Sequence, residues 1–324
     1  MATRLEGVVD LHAHVVLEAA YGTAGEFGPV HDVDERGRER FRVGEYAMAP
    51  MPYRDSVFTD VDRRLAAMDA LGIDVQMLSA NPLTFFGRIP AEPATSFARA
   101  TNDAMAELVA AHPDRLLGAA QLPLQDPAAA VAELERATTA LGLVAAYVGS
   151  DYGVGLDEPA LDDLYARLVE LDVPLFVHGV TNDGIGPPPD RRLRRNGLDL
   201  VVGYTYEETL TVAALVLGGV LDRHPGLDVC ISHGGGAAVF LAQRFKTMAG
   251  FRRSDVDVIG GLRRLWFDSH LEPGPALDLV VDIVGADRFV YGTNFGGWDT
   301  PTEITDFDRS LTPNAARLLR REGP

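Results

Sequence analysis

Short runs of apolar and β-branched residues alternate along the chain with longer segments in which apolar residues recur three and four positions apart. The short runs indicate buried strands, and the longer segments indicate amphipathic helices. Strands are predicted at residues 8–11, 75–78, 116–120, 144–148, 175–177, 229–232, 265–268 and 289–291. The clearest helices between them are predicted at residues 61–71, 96–111, 128–141 and 158–171. This alternation predicts the α/β class and a parallel sheet closed into a (β/α)8 barrel of the TIM type.

Two segments interrupt the alternation. Residues 15–56 follow the first predicted strand, and residues 181–199 follow the fifth; both contain several glycines, prolines and charged residues. They are too long for ordinary strand-to-helix loops, and insertions at the catalytic rim of a barrel usually form lids or substrate walls. Residues 1–324 are expected to form one barrel domain that carries these insertions, since α/β barrels of this length are commonly single domains.

The charge balance argues against two classes of partner. The formal net charge is −18, whereas binding to nucleic acid or to an anionic membrane requires clustered cations. The one basic run, at residues 191–195, is interpreted as a solvated loop. The apolar stretch LTVAALVLGGVLD has about a dozen residues and is expected to be a buried helix rather than a membrane span.

Two rare residue types narrow the chemistry and the compartment. The only cysteine, Cys230, cannot form an intrachain disulfide and suits a reducing compartment, and the first residues resemble neither a signal peptide nor an anchor. A cytoplasmic protein is therefore expected. The only lysine, Lys246, lies in a helical segment, which excludes Schiff-base chemistry on a barrel strand.

Histidines stand at the ends of predicted strands. His12 and His14 follow the first strand, and His178 follows the fifth. Residues two apart in extended backbone point to the same face, so His12 and His14 can reach one cation. Because one rim of a barrel gathers distant strand ends, these three residues are predicted to bind a metal. The alternative, structural histidines hydrogen-bonded at the rim, stays open for each of them.

Further polar residues follow the last three strands. His233 precedes the run Gly234-Gly235-Gly236, which lets backbone pass close to a ligand, and it is interpreted as an acid or base beside the metal. His270 is a candidate for substrate contact, with a solvent-facing loop residue as the alternative. Asn294 follows the eighth strand, where an aspartate is expected in such a site. His31, His112 and His224 receive no role.

The fourth strand bears on the number of metal ions. It ends in YVGSD, without a lysine that could be carboxylated to bridge two cations, so a single metal ion is predicted. Three neutral imidazoles and one oxygen donor, with a position left for water or substrate, suit Zn²⁺ best. Mn²⁺ or another divalent ion remains an alternative.

The chain resembles the amidohydrolase superfamily, and within it the branch of metal-dependent decarboxylases that includes aminocarboxymuconate-semialdehyde decarboxylase. The resemblance runs through VVDLHAH, RRLAAMDALGIDVQMLSANP, PLFVH, GGVLDRHPGLDVCISHGGG and VYGTNF, and it spans nearly the whole chain. It implies a barrel fold, a homodimer, metal ligation by the three histidines at the first and fifth strands, and His233 as catalytic acid or base. Arg54 approximately matches an arginine that holds the substrate carboxylate in this family.

The chain departs from the family at two places. Asn294 occupies the position of the family's aspartate ligand, and an amide offers a carbonyl oxygen but neither charge nor proton exchange. Asn294 could still ligate the metal and take part in catalysis, Asp299 could replace it, or the site could be inactivated. In addition, Gly179, Val180 and Thr181 follow His178, where the family often has an aromatic residue, so the substrate wall is expected to differ.

The leading hypothesis is a mononuclear metal-dependent decarboxylase acting on a small aromatic or unsaturated carboxylic acid. In this hypothesis His233 moves the proton, while Arg54 and His270 contact the substrate. The first alternative is a metal-dependent hydrolase of a lactone or an amide, because the same ligands can generate hydroxide at neutral pH. The second is a non-catalytic member of the family that has lost its carboxylate ligand.

Overall fold

The computed structural model describes residues 5–47, 54–182, 185–252 and 255–321. Two sheets are present in this part of the chain, one of eight parallel strands and one of three antiparallel strands. In chain order the strands are β1 (Val9–Val15), β2 (Val30–Val33), β3 (Glu39–Val43), β4 (Tyr46–Ala47), β5 (Val75–Ala80), β6 (Leu116–Gln121), β7 (Ala145–Gly149), β8 (Leu175–His178), β9 (Val229–Ile231), β10 (Trp266–Asp268) and β11 (Phe289–Val290).

The large sheet closes on itself. Its strands neighbour one another in chain order, from β1 through β5 to β11. The first and last strands are then joined by the backbone: Leu11 N donates to Tyr291 O at 2.8 Å, and Ala13 forms a parallel bridge with Phe295. The predicted (β/α)8 barrel is confirmed. All eight predicted strands are present, although β1 continues beyond residue 11 to include both histidines of the HAH motif.

Helices cover the outside of the barrel. They are α1 (Val61–Leu71), α2 (Ala91–Ala111), α3 (Pro127–Thr139), α4 (Asp162–Leu171), α5 (Tyr204–Leu217), α6 (Val220–Arg223), α7 (Ala242–Phe251), α8 (Val258–Leu262), α9 (Pro275–Val284), α10 (Asp306–Arg309) and α11 (Thr312–Leu318). Helix α1 has the predicted bounds, and the Asp60 side chain caps it by accepting from Arg63 N. Helix α2 begins at Ala91 rather than at residue 96, since Pro93 lies in the first turn, where a missing N–H costs no hydrogen bond.

The first insertion contains the antiparallel sheet β2–β4, which the sequence analysis did not predict. Phe41 and Val43 on one face of β3 are buried in an apolar cluster with Phe86 and Phe97 from the barrel. The insertion is therefore packed onto the barrel rather than extended into solvent.

The two insertions meet. Glu45 N at the tip of the first insertion donates to Ile185 O of the second at 2.6 Å, and Tyr46 Oη donates to Asp199 Oδ2 at 2.9 Å. A role of the two insertions as lid or substrate wall stays a prediction. The basic run at residues 191–195 lies mostly exposed, with the Arg192 side chain 86% exposed, which agrees with its interpretation as a solvated loop.

The helical run Asp199–Leu217 is longer than the sequence analysis expected. A π-helical turn, Asp199–Gly203, leads directly into α5, and the resulting 19 residues are long and apolar enough to cross a membrane, with a mean hydropathy of 1.3. Val212 and Leu215 nevertheless pack in the core of the barrel, and helices of protein cores pass the same test of length and composition. Within the stretch expected to be a buried helix, residues 210–222, Val216 and Val220 are buried as well, whereas Leu210 is 46% exposed.

Candidate metal centre

Three buried histidines converge at the end of the barrel. His12 and His14 extend from β1, and His178 is the last residue of β8, which is four strands away in the order of the barrel sheet. One ring nitrogen from each histidine lies within 4.8 Å of the others. The structure thus brings together the three residues that the sequence analysis predicted as metal ligands.

The hydrogen bonds of His12 and His178 determine which nitrogen faces the centre. His12 Nδ1 lies 2.6 Å from Asp268 Oδ2, and His178 Nδ1 lies 2.7 Å from the carbonyl oxygen of Gly179. A carboxylate or a carbonyl oxygen can only accept, so the proton of each neutral ring resides on Nδ1. Nε2 of both histidines therefore retains a lone pair.

His14 has the same arrangement with a hydroxyl as its partner. Its Nδ1 lies 2.9 Å from Ser79 Oγ, whose own hydroxyl donates to the carbonyl oxygen of Ala13 at 3.2 Å, so Ser79 accepts from the ring. His14 Nε2 then lies 3.1 Å from His12 Nε2, with a lone pair on each atom. Two facing lone pairs repel each other, and a cation between the rings relieves that repulsion.

Burial keeps these rings neutral. It lowers the pKa of His14 to about 3, helped by the positive charges of neighbouring His233 and Arg64, and it lowers the pKa of His12 and of His178 well below the usual value. The neutral imidazole is the form that binds a metal ion. His178 Nε2 is buried and has no hydrogen-bond partner among the described residues, and a metal ion would provide one. The donor set therefore fits one divalent cation of the Zn²⁺ or Mn²⁺ type.

Tyr147, in the middle of β7, lies close to the three histidines. Its ring centroid is 6.4 Å from those of His12 and His178 and 6.2 Å from that of His14. Its hydroxyl is hydrogen-bonded to Ser232 Oγ at 3.0 Å, and burial raises the pKa of the phenol well above its usual value. A neutral phenol thus stands on the strand where a carboxylated lysine would be required for a second metal ion.

His233 forms a buried pair with Glu208 beside the centre. Its Nδ1 lies 2.6 Å from Glu208 Oε1, and its ring centroid lies 5.0 Å from that of His12 and 4.9 Å from that of His178. Burial by itself lowers the pKa of His233, but the charge of Glu208 and its hydrogen bond outweigh this and raise the pKa to about 9. The ring is oriented by a carboxylate and lies next to His12 and His178, an arrangement that a general acid or base beside the centre would require.

The turn after β9 that carries His233 has an unusual backbone. His233 itself has φ = 48°, and Gly234, Gly235 and Gly236 all have positive φ. A Cβ at these glycines would lie 2.4 Å from Leu271 Cδ1, 2.6 Å from Phe267 Cε1 and 2.0 Å from Thr205 O, respectively. Only glycine fits these three positions, which explains the run of glycines after the histidine.

His270 also belongs to this group. Its ring centroid lies 5.3 Å from that of His233 and 5.9 Å from that of His12, and its side chain is 9% exposed. Within the part of the chain that the structure describes, neither of its ring nitrogens has a hydrogen-bond partner. The alternative interpretation as a solvent-facing loop residue was therefore wrong.

Asn294 lies at the rim, paired with Asp299. Asn294 Nδ2 donates to Asp299 Oδ1 at 2.8 Å, and the Asn294 backbone adopts φ = 50°, which asparagine tolerates better than most residues. Asp299 is outside the three-histidine group and lies 3.6 Å from His270 Nε2 through its other oxygen. In the described conformation Asp299 contacts Asn294 instead of replacing it.

Arg54 is placed on the insertion. It is exposed, and its Nε donates to His31 Nδ1 at 3.1 Å. The contacts of the described residues do not join Arg54 to His12, His14 or His178, so its predicted contact with substrate stays a prediction.

The profile of a family described as amidohydrolase matches residues 9–320. The chain belongs to the amidohydrolase family.

Several similar amidohydrolases are decarboxylases. The 2-amino-3-carboxymuconate-6-semialdehyde decarboxylase of Dictyostelium discoideum is 27% identical, over 89% of this chain and 81% of the relative. The crystal structure of a 2,6-dihydroxybenzoate decarboxylase complexed with 2,6-dihydroxybenzoate superposes with a TM-score of 0.76 at 25% identity, over 97% of this chain and 99% of that one. The dihydroxybenzoic acid decarboxylase of Polaromonas sp. JS666, with bound manganese and 2-nitroresorcinol, has a TM-score of 0.76 at 23% identity, over 97% of each chain.

Two carboxylates of this amidohydrolase site were missed by sequence reasoning. Asp268 ends a buried strand, the same signal that identified the histidines, and could have been singled out for that reason. Glu208 lies within α5, 25 residues before His233, and no local pattern separates it from Glu207. Only the packing of α5 against the turn at His233 shows which glutamate faces the site.

Proposed function

We propose that this protein is a mononuclear metal-dependent decarboxylase, a carboxy-lyase that acts on a small aromatic or unsaturated carboxylic acid. The observation that carries the proposal is the convergence of three imidazole lone pairs beside the His233–Glu208 pair. Decarboxylases among the similar amidohydrolases support the same reaction class.

In this proposal His12, His14 and His178 hold the cation, and Asn294 Oδ1 is the fourth ligand. When bound, the cation supplies positive charge that binds the substrate carboxylate and withdraws electron density from the reacting carbon. The outer partners, Asp268 among them, keep the three rings fixed in the tautomer that ligation needs.

His233 moves the proton. Its Nδ1–H donates to Glu208, so Nε2 is the nitrogen that remains for the substrate. Transfer of the Nε2 proton to the carbon that bears the carboxylate forms a C–H bond there. The C–C bond to the carboxylate then breaks, its electron pair returns to the unsaturated system, carbon dioxide leaves, and His233 regains a proton from solvent.

Metal identity and substrate contacts belong to the same proposal. Zn²⁺ is the preferred cation because imidazole ligands suit it, and Mn²⁺ is the rival because a similar decarboxylase binds manganese. His270, whose buried ring nitrogens have no hydrogen-bond partner in the described segments, is proposed to donate to the substrate. The corresponding role of Arg54 rests on the family resemblance alone.

We also propose that the protein is a homodimer and that it is located in the cytoplasm. Phe240 lies two residues before α7, and Phe251 is the last residue of that helix. Their side chains are 78% and 83% exposed, and exposed aromatic residues are common at subunit interfaces. Sedimentation of the purified protein measures the oligomeric state directly.

The function is tested by following carbon dioxide release from hydroxybenzoic acids and from unsaturated dicarboxylic acids. Metal-stripped protein should be inactive and should regain activity with Zn²⁺ or Mn²⁺, and His233→Ala should bind metal without turnover. Full turnover by stripped protein would refute the metal-dependent mechanism. Ring opening of lactones without carbon dioxide release would instead identify a hydrolase.

A further inference from the structure

Each histidine of the metal centre is oriented by an acceptor that lies farther out. The outer acceptors are Asp268, Ser79 and the carbonyl oxygen of Gly179. Each of them binds the Nδ1–H of one ring and thereby leaves Nε2 as the atom with a free lone pair. The same arrangement, an outer acceptor bound to Nδ1–H, thus orients His12 and His14 on β1 and His178 on β8.

Asn294 follows the same rule with Asp299 as its outer acceptor. Its Nδ2 donates to Asp299 Oδ1 at 2.8 Å, and a carboxylate can only accept, so the amide nitrogen must face Asp299. The carbonyl oxygen Oδ1 is consequently turned away from Asp299. The backbone that carries Asn294 is adjacent to β1, because the next residue, Phe295, donates through its N to His12 O at 3.3 Å and accepts through its O from His14 N at 3.4 Å.

The loop after Asn294 holds Asp299 in this position. Gly297 N donates to Asn294 O at 2.7 Å, and Thr300 Oγ1 donates to the same oxygen at 3.2 Å, so the chain folds back on the asparagine. A Cβ at Gly297 would lie 2.7 Å from Asn294 Nδ2, so only glycine allows the loop to pack this closely. Asp299 is thereby brought to the far side of the amide, five residues along the chain.

We infer that Asp299 is a positioning residue of the metal centre, which fixes Asn294 so that its Oδ1 serves as an uncharged fourth ligand. The negative charge that an aspartate ligand would place on the metal itself is placed one residue farther out, on the partner of the amide. Asp299 then relates to Asn294 as Asp268 relates to His12. The inference rests on the proposed function for the presence of the cation and for Asn294 as its fourth ligand.

The test measures the affinity of metal-stripped protein for Mn²⁺ and Zn²⁺ by competition with a chelating dye. Asp299→Ala removes the acceptor, and we expect affinity to fall by about tenfold or more, in the range for loss of a residue that supports a ligand. Asp299→Asn keeps an oxygen that can accept from Asn294 Nδ2, so it should restore much of that loss. Glu303→Ala is the matched control, because it removes an exposed carboxylate from the same segment.

A second pair of variants tests whether the two side chains act together. Asn294→Asp places two carboxylates in contact, whereas the same change combined with Asp299→Asn leaves one carboxylate and one amide with their positions exchanged. The gain in metal affinity from Asn294→Asp should therefore be larger in the Asp299→Asn background than in the native chain.

The outcomes separate this inference from the proposed function. Equal affinities of Asp299→Ala and Glu303→Ala, or equal gains from Asn294→Asp in both backgrounds, would overturn the role of Asp299 and leave the three-histidine site intact. Absence of metal binding by the native chain would overturn both. Circular dichroism of each variant confirms that the barrel is folded before affinities are compared.

Discussion

Glu208 Oε1 lies 2.6 Å from His233 Nδ1, and the glutamate side chain is fully buried. Gly179 N donates to the same oxygen at 3.2 Å, so the carboxylate also contacts the backbone next to His178. Glu208 therefore links His233, the proposed acid or base, to the strand that carries His178, a proposed metal ligand. It does so from a helix outside the barrel.

Glu208→Gln should lower kcat by about 100-fold without removing the metal ion. The variant keeps an oxygen that can accept from His233 but removes the negative charge that favours the protonated ring, and general acid–base catalysis contributes about this factor. Steady-state kinetics and metal analysis check the prediction.

Glu207→Gln provides the control for this change. Glu207 is the preceding residue of α5 and accepts from Ser150 Oγ at 3.1 Å instead of contacting His233. If the two variants lost activity equally, the pairing of Glu208 with His233 would not be the cause.

Asp268→Asn should weaken metal binding by about 10- to 100-fold. One oxygen of Asp268 accepts from His12 Nδ1, and the other accepts from Gly234 N and His270 N at 3.1 and 3.2 Å. An amide cannot accept on both sides, so one set of donors loses its partner. Dye competition measures the affinity, and unchanged affinity relative to Asp278→Asn on the exposed face of α9 would contradict the prediction.

Asp10→Asn should destabilise the metal-free protein by about 1–3 kcal/mol. Four donors converge on this buried carboxylate, namely His12 N, Thr293 N, Thr293 Oγ1 and Gln76 Nε2. The amide group of asparagine would present N–H to at least one donor, leaving buried hydrogens unpaired.

Urea unfolding measures the change in the free energy of unfolding. Asp69→Asn, at a side chain 66% exposed, should change that free energy by less than about 0.5 kcal/mol. A similar small effect at Asp10 would show that the four hydrogen bonds contribute little.

The metal-free protein should lose stability in acid. Burial lowers the pKa of His14 to about 3, so between the ordinary value of 6.5 and that value the unfolded chain binds a proton that the folded chain excludes. The stability associated with neutral His14 is complete above pH 6.5 and is lost as the pH falls toward 3. His14→Gln should give a shallower dependence, by up to about 1.4 kcal/mol per pH unit.

Urea titrations of both proteins at several pH values between 7 and 4 test this prediction. Parallel curves for the two proteins would show that His14 takes up its proton normally in the folded state. Saturating metal should delay the acid loss in the native protein, because protons compete with the cation for Nε2.

The barrel and the four histidines could be predicted because their signals are local. His12, His178 and His233 each follow a short apolar run in the sequence that forms a strand. A parallel barrel brings all strand ends of one polarity to one rim. The bounds of β1 were set too short because His12 and His14 are polar, although both are buried inside the strand.

The other features of the fold and the site could not be predicted, because they depend on contacts between segments that no local sequence pattern specifies. In the first insertion, Phe41 and Val43 alternate with Arg40 and Arg42, a period-two signal that is too short to stand out in a charged segment. Both arginines pair with Asp32 on the neighbouring strand, a contact that no sequence pattern specifies. The same holds for the contact between Asn294 and Asp299, which depends on how tightly the intervening loop turns.

The run of three glycines after His233 restricts which substitutions this turn can accept during evolution. Any side chain at these three positions collides with Leu271, Phe267 or the backbone of Thr205, so substitutions there are removed by steric exclusion. In an alignment of homologues that share this turn, the glycines would be as invariant as the histidine they follow. Invariance of the three glycines would then reflect the steric requirement of the turn, and only invariance of His233 would reflect the chemistry of the site.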